Sequence, residues 1–201
     1  MQGWGGADVL KGGSGNDALR GGTGPDNLFG DDGNDQIWGD GDIDWIYGGN
    51  GDDQLLGGDG GDDLRGEAGD DLILGGEGND YIRGGQGVDR LTGGNGSDWF
   101  TYDALSDSPG AGQKFDYIYD FVAGQDKIDL RGIDAKPGIA GDQAFSFLGF
   151  DAPRVGVPGQ VWAMHASGST WVQADVNGDA VGDFMVQLVG TVALTAEDFM
   201  L

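Results

Sequence analysis

Between residues 10 and 100 a large apolar side chain returns every nine residues, from Leu10, Leu19 and Leu28 through Leu91 to Phe100. That spacing fits neither the 3.6-residue period of a helix nor simple strand alternation, so it marks a repeating unit. In each unit the apolar residue stands at the middle of three residues that read as a short strand, its neighbours facing the opposite way. One unit alone could not bury its single Leu or Ile. Stacked units could, with two per coil, because side chains 18 residues apart then form continuous inner columns and alternate units form two parallel sheets.

Counted from Gly3, eleven unbroken units end at Thr101. The first position is Gly in every unit. The sixth is always Asp: Asp8, Asp17, Asp26, Asp35, Asp44, Asp53, Asp62, Asp71, Asp80, Asp89 and Asp98. With 32 Asp in 201 residues, such phasing is not chance. Positions one to six, rich in Gly, Asn and Asp, are expected to form a turn with left-handed torsions and inward carbonyl oxygens, and the last three to be extended. Trp4, Asp42 and the pair Glu67-Ala68 depart from the small residues usual at their positions.

Composition narrows the chemistry. The chain has 44 Gly, 35 acidic and 10 basic residues, a net charge of -25 and no Cys. Gly without a three-residue period, and only 5 Pro, exclude collagen. A hydrophobic share of 38% argues against wholesale disorder. The charge argues against nucleic acid and anionic membrane as partners. No apolar run is long enough to insert in a membrane, and the first residues do not read as a signal peptide. Without Cys there is no thiolate metal site. Acids in this excess point to cations as partners, and specifically to something that neutralises carboxylates by coordination. The composition also divides the chain: residues 3–101 hold 31 Gly, 21 acids and five bases, and residues 102–201 hold 13 Gly, 14 acids and five bases. The expected organisation is a repeat domain over 3–101 followed by a β-rich cap over 102–201. A flexible acidic linker would need no phased apolar residues.

The unit G-G-x-G-x-D-x-(Leu/Ile/Phe)-x resembles the nonapeptide of the calcium-binding RTX repeats. The resemblance covers residues 3–101 and implies an all-β fold, a right-handed parallel β-roll. It also implies calcium ions between turns of units two apart. Main-chain carbonyls of positions two and four and the Asp of one unit would face carbonyls of positions one and three and the Asp of the other. Carried over, one site takes Gly13, Gly15, Asp17, Gly30, Asp32 and Asp35, and the next along that edge Asp31, Gly33, Asp35, Gly48, Asn50 and Asp53. Each internal Asp would then bridge two ions, and at most nine sites are complete. Nine divalent ions would more than offset the repeat charge of -16, so folding and binding become one equilibrium.

Several outward positions are apolar. Trp38, Leu56 and Leu74 stack on one sheet beside Leu72, an expected contact for the cap or for another domain. Phe29, Trp45, Tyr47 and Tyr81 lie on the other sheet among Arg65, Arg83 and Asp63.

After Thr101, strands are expected over Asp116–Phe121, Lys127–Leu130, Val161–Ala166, Thr170–Ala174 and Phe184–Val189, with a hairpin at Ser167-Gly168-Ser169. An open coil end needs such a cap. The stretches Asp116-x-Ile118-x-Asp120-Phe121, Gly124-x-Asp126-Lys127-Ile128-Asp129-Leu130, Asp175-x-Asn177-Gly178-Asp179 with Asp183-Phe184, and Asp198-Phe199-Met200-Leu201 resemble the C-terminal region of serralysin-type secreted metalloproteases. That resemblance implies export by a type I secretion apparatus through an uncleaved C-terminal signal. The chain would then be the C-terminal part of an extracellular enzyme whose N-terminal catalytic domain lies outside this sequence. Asp175, Asn177, Asp179 and Asp183 have the spacing of a calcium loop, without the closing Glu of an EF-hand; a plain Asn-Gly turn with solvated acids is the alternative.

No catalytic constellation is expected. There is no H-E-x-x-H helix, no Cys nucleophile and no G-x-S-x-G elbow, and His165 stands alone in a strand. Two classes of function remain: a calcium-responsive folding and export module, or a calcium-dependent adhesin or polysaccharide-binding module using Trp38, Trp45, Tyr47 and Tyr81.

Overall fold

The computed structural model describes residues 1–110, 114–138, 143–153 and 156–201. Twelve short strands come from the repeats: β1 (Gln2–Gly5), β2 (Val9–Ser14), β3 (Ala18–Thr23), β4 (Asn27–Asp32), β5 (Gln36–Gly41), β6 (Trp45–Asn50), β7 (Gln54–Asp59), β8 (Asp63–Ala68), β9 (Leu72–Glu77), β10 (Tyr81–Gln86), β11 (Arg90–Asn95) and β12 (Trp99–Thr101). Odd and even strands fall in different sheets, each pairing in parallel with the strand 18 residues away, as in Leu19 with Ile37 and Leu28 with Ile46. This is the two-units-per-coil roll.

The extended part of each unit is longer than the sequence suggested. A strand covers positions seven to nine and continues through positions one to three of the next unit, leaving only positions four to six as the turn. Pairing runs over Ala18, Leu19 and Arg20, skips Gly21, and resumes at Gly22 and Thr23. Position one is therefore a corner in the strand rather than part of the turn.

Glycine serves two different ends here. Positions two and four have positive φ in all eleven units, including the non-glycines Trp4, Asp31, Asp40, Asp42 and Glu67. At position one the reason is closeness: a methyl on Gly12 would lie 2.7 Å from the Gly30 carbonyl oxygen and 2.9 Å from Asp17 Oδ2.

The inner columns are closed. Leu19, Leu28, Ile37, Ile46, Leu55, Leu64, Ile73, Ile82, Leu91 and Phe100 are buried, and each such side chain contributes roughly 1.5–3 kcal/mol of apolar transfer.

The rest of the chain lengthens both sheets. On one sheet β13 (Asp116–Ile118) pairs in parallel with β11. It is followed by β18 (Phe184–Leu188), then β17 (Ser169–Asp175), β16 (Gln160–Ala166) and β15 (Ser146–Phe150). On the other, β14 (Lys127–Asp129) follows β12, and β19 (Phe199–Met200) closes the edge. The columns run straight through, Leu91 to Ile118 to Leu188 and Phe100 to Ile128 to Phe199. The β16–β17 hairpin turns on Ser167 and Gly168, both at positive φ, with Ala166 paired to Ser169. Strands β1 and β15 were not foreseen. A single 3-10 turn, Ala196–Asp198, is the helical element among the described residues. No helix there is long and apolar enough to cross a membrane.

Trp38, Leu56 and Leu74 do stack in register on the outer face and are half-buried. The cap does not fold over them, because its strands extend the sheets end to end.

Candidate metal centre

The position-six aspartates form two columns, one beside each row of turns. Within a column every carboxylate after the first does the same thing. Its Oδ1 accepts the backbone N–H of the Asp one coil earlier, as Asp35 does from Asp17 and Asp53 from Asp35, at 2.7 Å each, and Asp98 from Asp80 at 3.0 Å. The side chain turns inward because that N–H would otherwise be a buried orphan. Its other oxygen finds nothing. Oδ2 of Asp8, Asp26, Asp35, Asp44, Asp53, Asp62, Asp71, Asp80, Asp89 and Asp98 is buried without a hydrogen-bond partner.

Burial of a bare carboxylate oxygen disfavours its charge. It pushes Asp71 up to about 8, Asp44, Asp80 and Asp89 to about 7, and Asp53, Asp62 and Asp98 to about 6. The neighbouring carboxylates in the column raise most of them further, and the single N–H bond offsets only part of this.

The bare oxygens face main-chain carbonyls. Asp26 Oδ2 and the Gly39 carbonyl crowd the same point above Gly21, and Asp35 Oδ2 and the Gly48 carbonyl crowd the corresponding point above Gly30. The turn backbone nearby is left-handed at Gly13, Gly15, Asp31 and Gly33. The side chains of Asp32 and Asn50 instead bond to each other on the outer edge, at 2.8 Å. Among the described residues no three acidic or histidine side chains converge. A cation in the columns would be held by at most two carboxylates, with carbonyl oxygens completing the shell. That donor set, all hard oxygen, fits calcium.

A second ladder on the turn rim is already satisfied. Asn16, Asn34, Asp52 and Asp70 each accept the N–H of the position-five residue one coil later, at 2.9–3.1 Å.

The loop after β17 contrasts with the columns. Asp175 Oδ1 accepts N–H bonds from Asn177 and Gly178 and its Oδ2 one from Ala180. Asp183 accepts from Val176 and from the Asn177 side-chain amide, and Asp179 from Val181. These carboxylates accept the chain's own N–H groups, as in a tight Asx-type turn, and an oxygen so bonded keeps a second lone pair that a cation could use.

The outer aromatics do not form an open ladder. Phe29 and Tyr47 stack on each other at 5.0 Å, with Lys11 over one ring and Arg65 over the other. Asp63 separates Trp45 from Tyr81. His165 lies against Phe150 and bonds Thr170 Oγ1 at 3.1 Å, a packing role.

Two column members were missed because the nine-residue phase ends at Thr101. Asp116 and Asp126 accept the N–H groups of Asp89 and Asp98, 27 and 28 residues away rather than 18. Their place in motifs shared with the strands β13 and β14 was the signal that could have found them.

The family described as peptidase M10 serralysin C terminal matches residues 8–201. Metallopeptidase AprA of Pseudomonas marginalis is 38% identical over 99 residues, which are 48% of this chain and 18% of that protein. The chain thus spans less than a fifth of that relative. Two solved subunits of the Azotobacter vinelandii mannuronan C5-epimerase are also similar. AlgE6R3 is 29% identical, covers 80% of this chain and 78% of its own, and has a TM-score of 0.38; AlgE6R2 is 28% identical, covers 82% and 91%, and has a TM-score of 0.41.

Proposed function

Because this chain belongs to the serralysin C-terminal family, we propose that it is a calcium-binding module of a secreted protein. In this reading it is unfolded where calcium is scarce and folded where calcium is abundant, and it stabilises an enzyme to which it is joined. The observation that carries the reading is the set of nine buried repeat carboxylates, Asp26 to Asp98, each with one oxygen bonded and one bare. Calcium held between Asp17 and Asp35, or Asp35 and Asp53, with the facing carbonyls, would remove the cost of those bare oxygens. The ions belong to the roll, up to nine of them. The module itself is read as non-catalytic, with roll 3–101 and cap 102–201 as its two parts.

Export by a type I apparatus belongs to the same proposal. Phe199 is buried in the last strand, ringed against Phe147 at 4.7 Å, and Leu130 N–H bonds the Met200 carbonyl. The C-terminal residues therefore close the cap once folding is complete, which is compatible with their being read before it. Nothing in the outer aromatic arrangement favours the glycan-binding alternative.

Equilibrium dialysis with metal analysis tests the reading. Several calcium ions per chain are expected, with magnesium failing to replace them; a chain that takes up none contradicts it. Removing Phe199–Leu201 should abolish export while leaving calcium uptake by the roll; normal export would sink the secretion part alone.

A further inference from the structure

The outer faces of the two sheets differ in charge. On the sheet that holds β2 to β14, positions seven and nine carry Asp63 and Asp129 among Lys11, Arg65, Arg83 and Lys127. On the other sheet the same positions, from Ala18 in β3 to Tyr119 just past β13, hold no Asp or Glu. That is an unusual window in a chain with 35 acids among 201 residues. Its two charges are Arg90 and Arg20, the latter bonded to Asp40. Its middle is the half-buried row of Trp38, Leu56 and Leu74, with the exposed Leu72 beside it. The cap leaves this face open.

The face is also shaped to meet a copy of itself. At one end Ala18 floors a hollow of about 280 Å³, bounded by Met1, Gln2, Arg20 and Trp38. At the other end Tyr119, 44% exposed, stands beside Tyr117 with their rings 6.4 Å apart. The strands run in the order β1-β3-β5-β7-β9-β11-β13-β18. The hollow at β3 and the tyrosines at β13 therefore lie equally far from a line between β7 and β9.

We propose that two copies of this chain pair through this acid-poor face, about a two-fold axis running along the strands between β7 and β9. The rotation lays Leu56 on Leu74 of the other copy and Tyr117 over its Ala18 hollow. It sets Tyr119 against Arg20, a cation–π contact, and Gln36 against Arg90. Each contact occurs twice, as a closed pair requires. A neutral partner of another kind would need no such mirror relation between hollow and tyrosines. Elsewhere the charge of -25 repels a copy. In that respect the inference rests on the calcium reading, since nine divalent ions would lower the charge to about -7. The eight strands span roughly 34 Å at about 4.8 Å each, and the two rows of side chains about 10 Å. A footprint of ~350 Å² is under half the ~800 Å² per partner of a standard interface, so half-association is expected at about 10–100 µM.

Sedimentation equilibrium of the full chain in saturating calcium, from about 1 to about 200 µM, tests this, with bound calcium measured on the same samples. The mass should rise from 20.8 kDa toward twice that value. Gln54→Glu, at an exposed position beside the axis, puts a carboxylate against Leu72 of the other copy and should weaken pairing at least ~10-fold. Gln36→Glu, also exposed, faces Arg90 and should tighten it about 2–5-fold. Trp45→Glu, on the opposite sheet, should leave it unchanged; circular dichroism checks that each variant is folded. A calcium-loaded chain that stays at 20.8 kDa throughout overturns the pairing and leaves the calcium reading standing. Growth beyond two copies overturns the closed pair. Gln54→Glu without effect, or Trp45→Glu as damaging as Gln54→Glu, overturns the face, and Gln36→Glu that weakens pairing overturns the axis. Pairing with this variant pattern in a chain that holds no calcium supports the face and overturns the calcium reading.

Discussion

The repeat half and the cap share the same two sheets yet treat their buried acids in opposite ways. In the roll, each aspartate column leaves one oxygen per carboxylate bare. In the cap, Asp120 accepts N–H bonds from Gly93 and Gly94, Asp198 from Gly124 and Thr195, and Asp175 and Asp183 use both oxygens on their own loop. Asp116, whose Oδ2 is bare, is the exception among these cap acids. The roll is complete in its apolar columns and leaves carboxylate oxygens bare in its polar ones, and on the proposed reading its stability depends on a cation that the chain does not supply.

Removing that partner should expose the contrast most strongly. With excess chelator, backbone amides of β3 to β10 are expected to lose at least ~100-fold of their hydrogen-exchange protection, while the β16–β17 hairpin keeps most of its own. Equal loss in both regions would break the distinction.

Protons offer a second, weaker partner. The calcium-free roll binds protons more tightly than the unfolded chain, because its carboxylates titrate at about 6 to 8 rather than near 4. The calcium-free fold is therefore most stable at or below pH ~4 and loses stability as pH rises toward 8, since the unfolded chain releases its protons first. Calcium uptake should run the other way, weakening as pH falls through that window, because the ion and the proton compete for the same oxygen. Circular dichroism at pH 4.5 and 8 with chelator, and calcium titrations at both, check the two signs. A calcium-free roll that is more structured at pH 8 contradicts them.

Two substitutions sharpen the comparison further. Leu64→Ala opens the inner column and should cost about 2–5 kcal/mol of the calcium-loaded fold, measured by denaturant unfolding. Gly48→Ala keeps the column but places a methyl against Asp53 Oδ2 and the Gly66 carbonyl. It should cost ~1–3 kcal/mol and weaken calcium binding as well. The same change at Gly168, whose Cβ would meet nothing within 4 Å, carries only the strain of its positive φ and should leave calcium binding alone.

Much of the roll was legible because its constraint is local and repeated. A Leu or Ile every nine residues specifies the columns, and an Asp every nine places one carboxylate per turn. The cap was legible strand by strand but not in its connections. The pairing of β13 with β18, and of β14 with β19, joins residues about 70 apart, and no period records such a contact. Gly at position one looked like a torsional requirement and is a requirement of space, a distinction that composition cannot carry. The Asp175–Asp183 spacing suited a cation loop equally well as a turn, and the N–H bonds its acids accept are compatible with both. Asp116 and Asp126 lie past the last unit, so their place in the columns appeared only when the chain was folded.

The most direct measurement is far-ultraviolet circular dichroism of the full chain at neutral pH during titration with calcium, then with magnesium, then with chelator. A β-signal that appears with calcium, fails to appear with magnesium at the same concentration and is lost on chelation is the expected result. A β-signal of full strength in the chelated chain would mean that the bare aspartate oxygens need no cation, and would contradict the account.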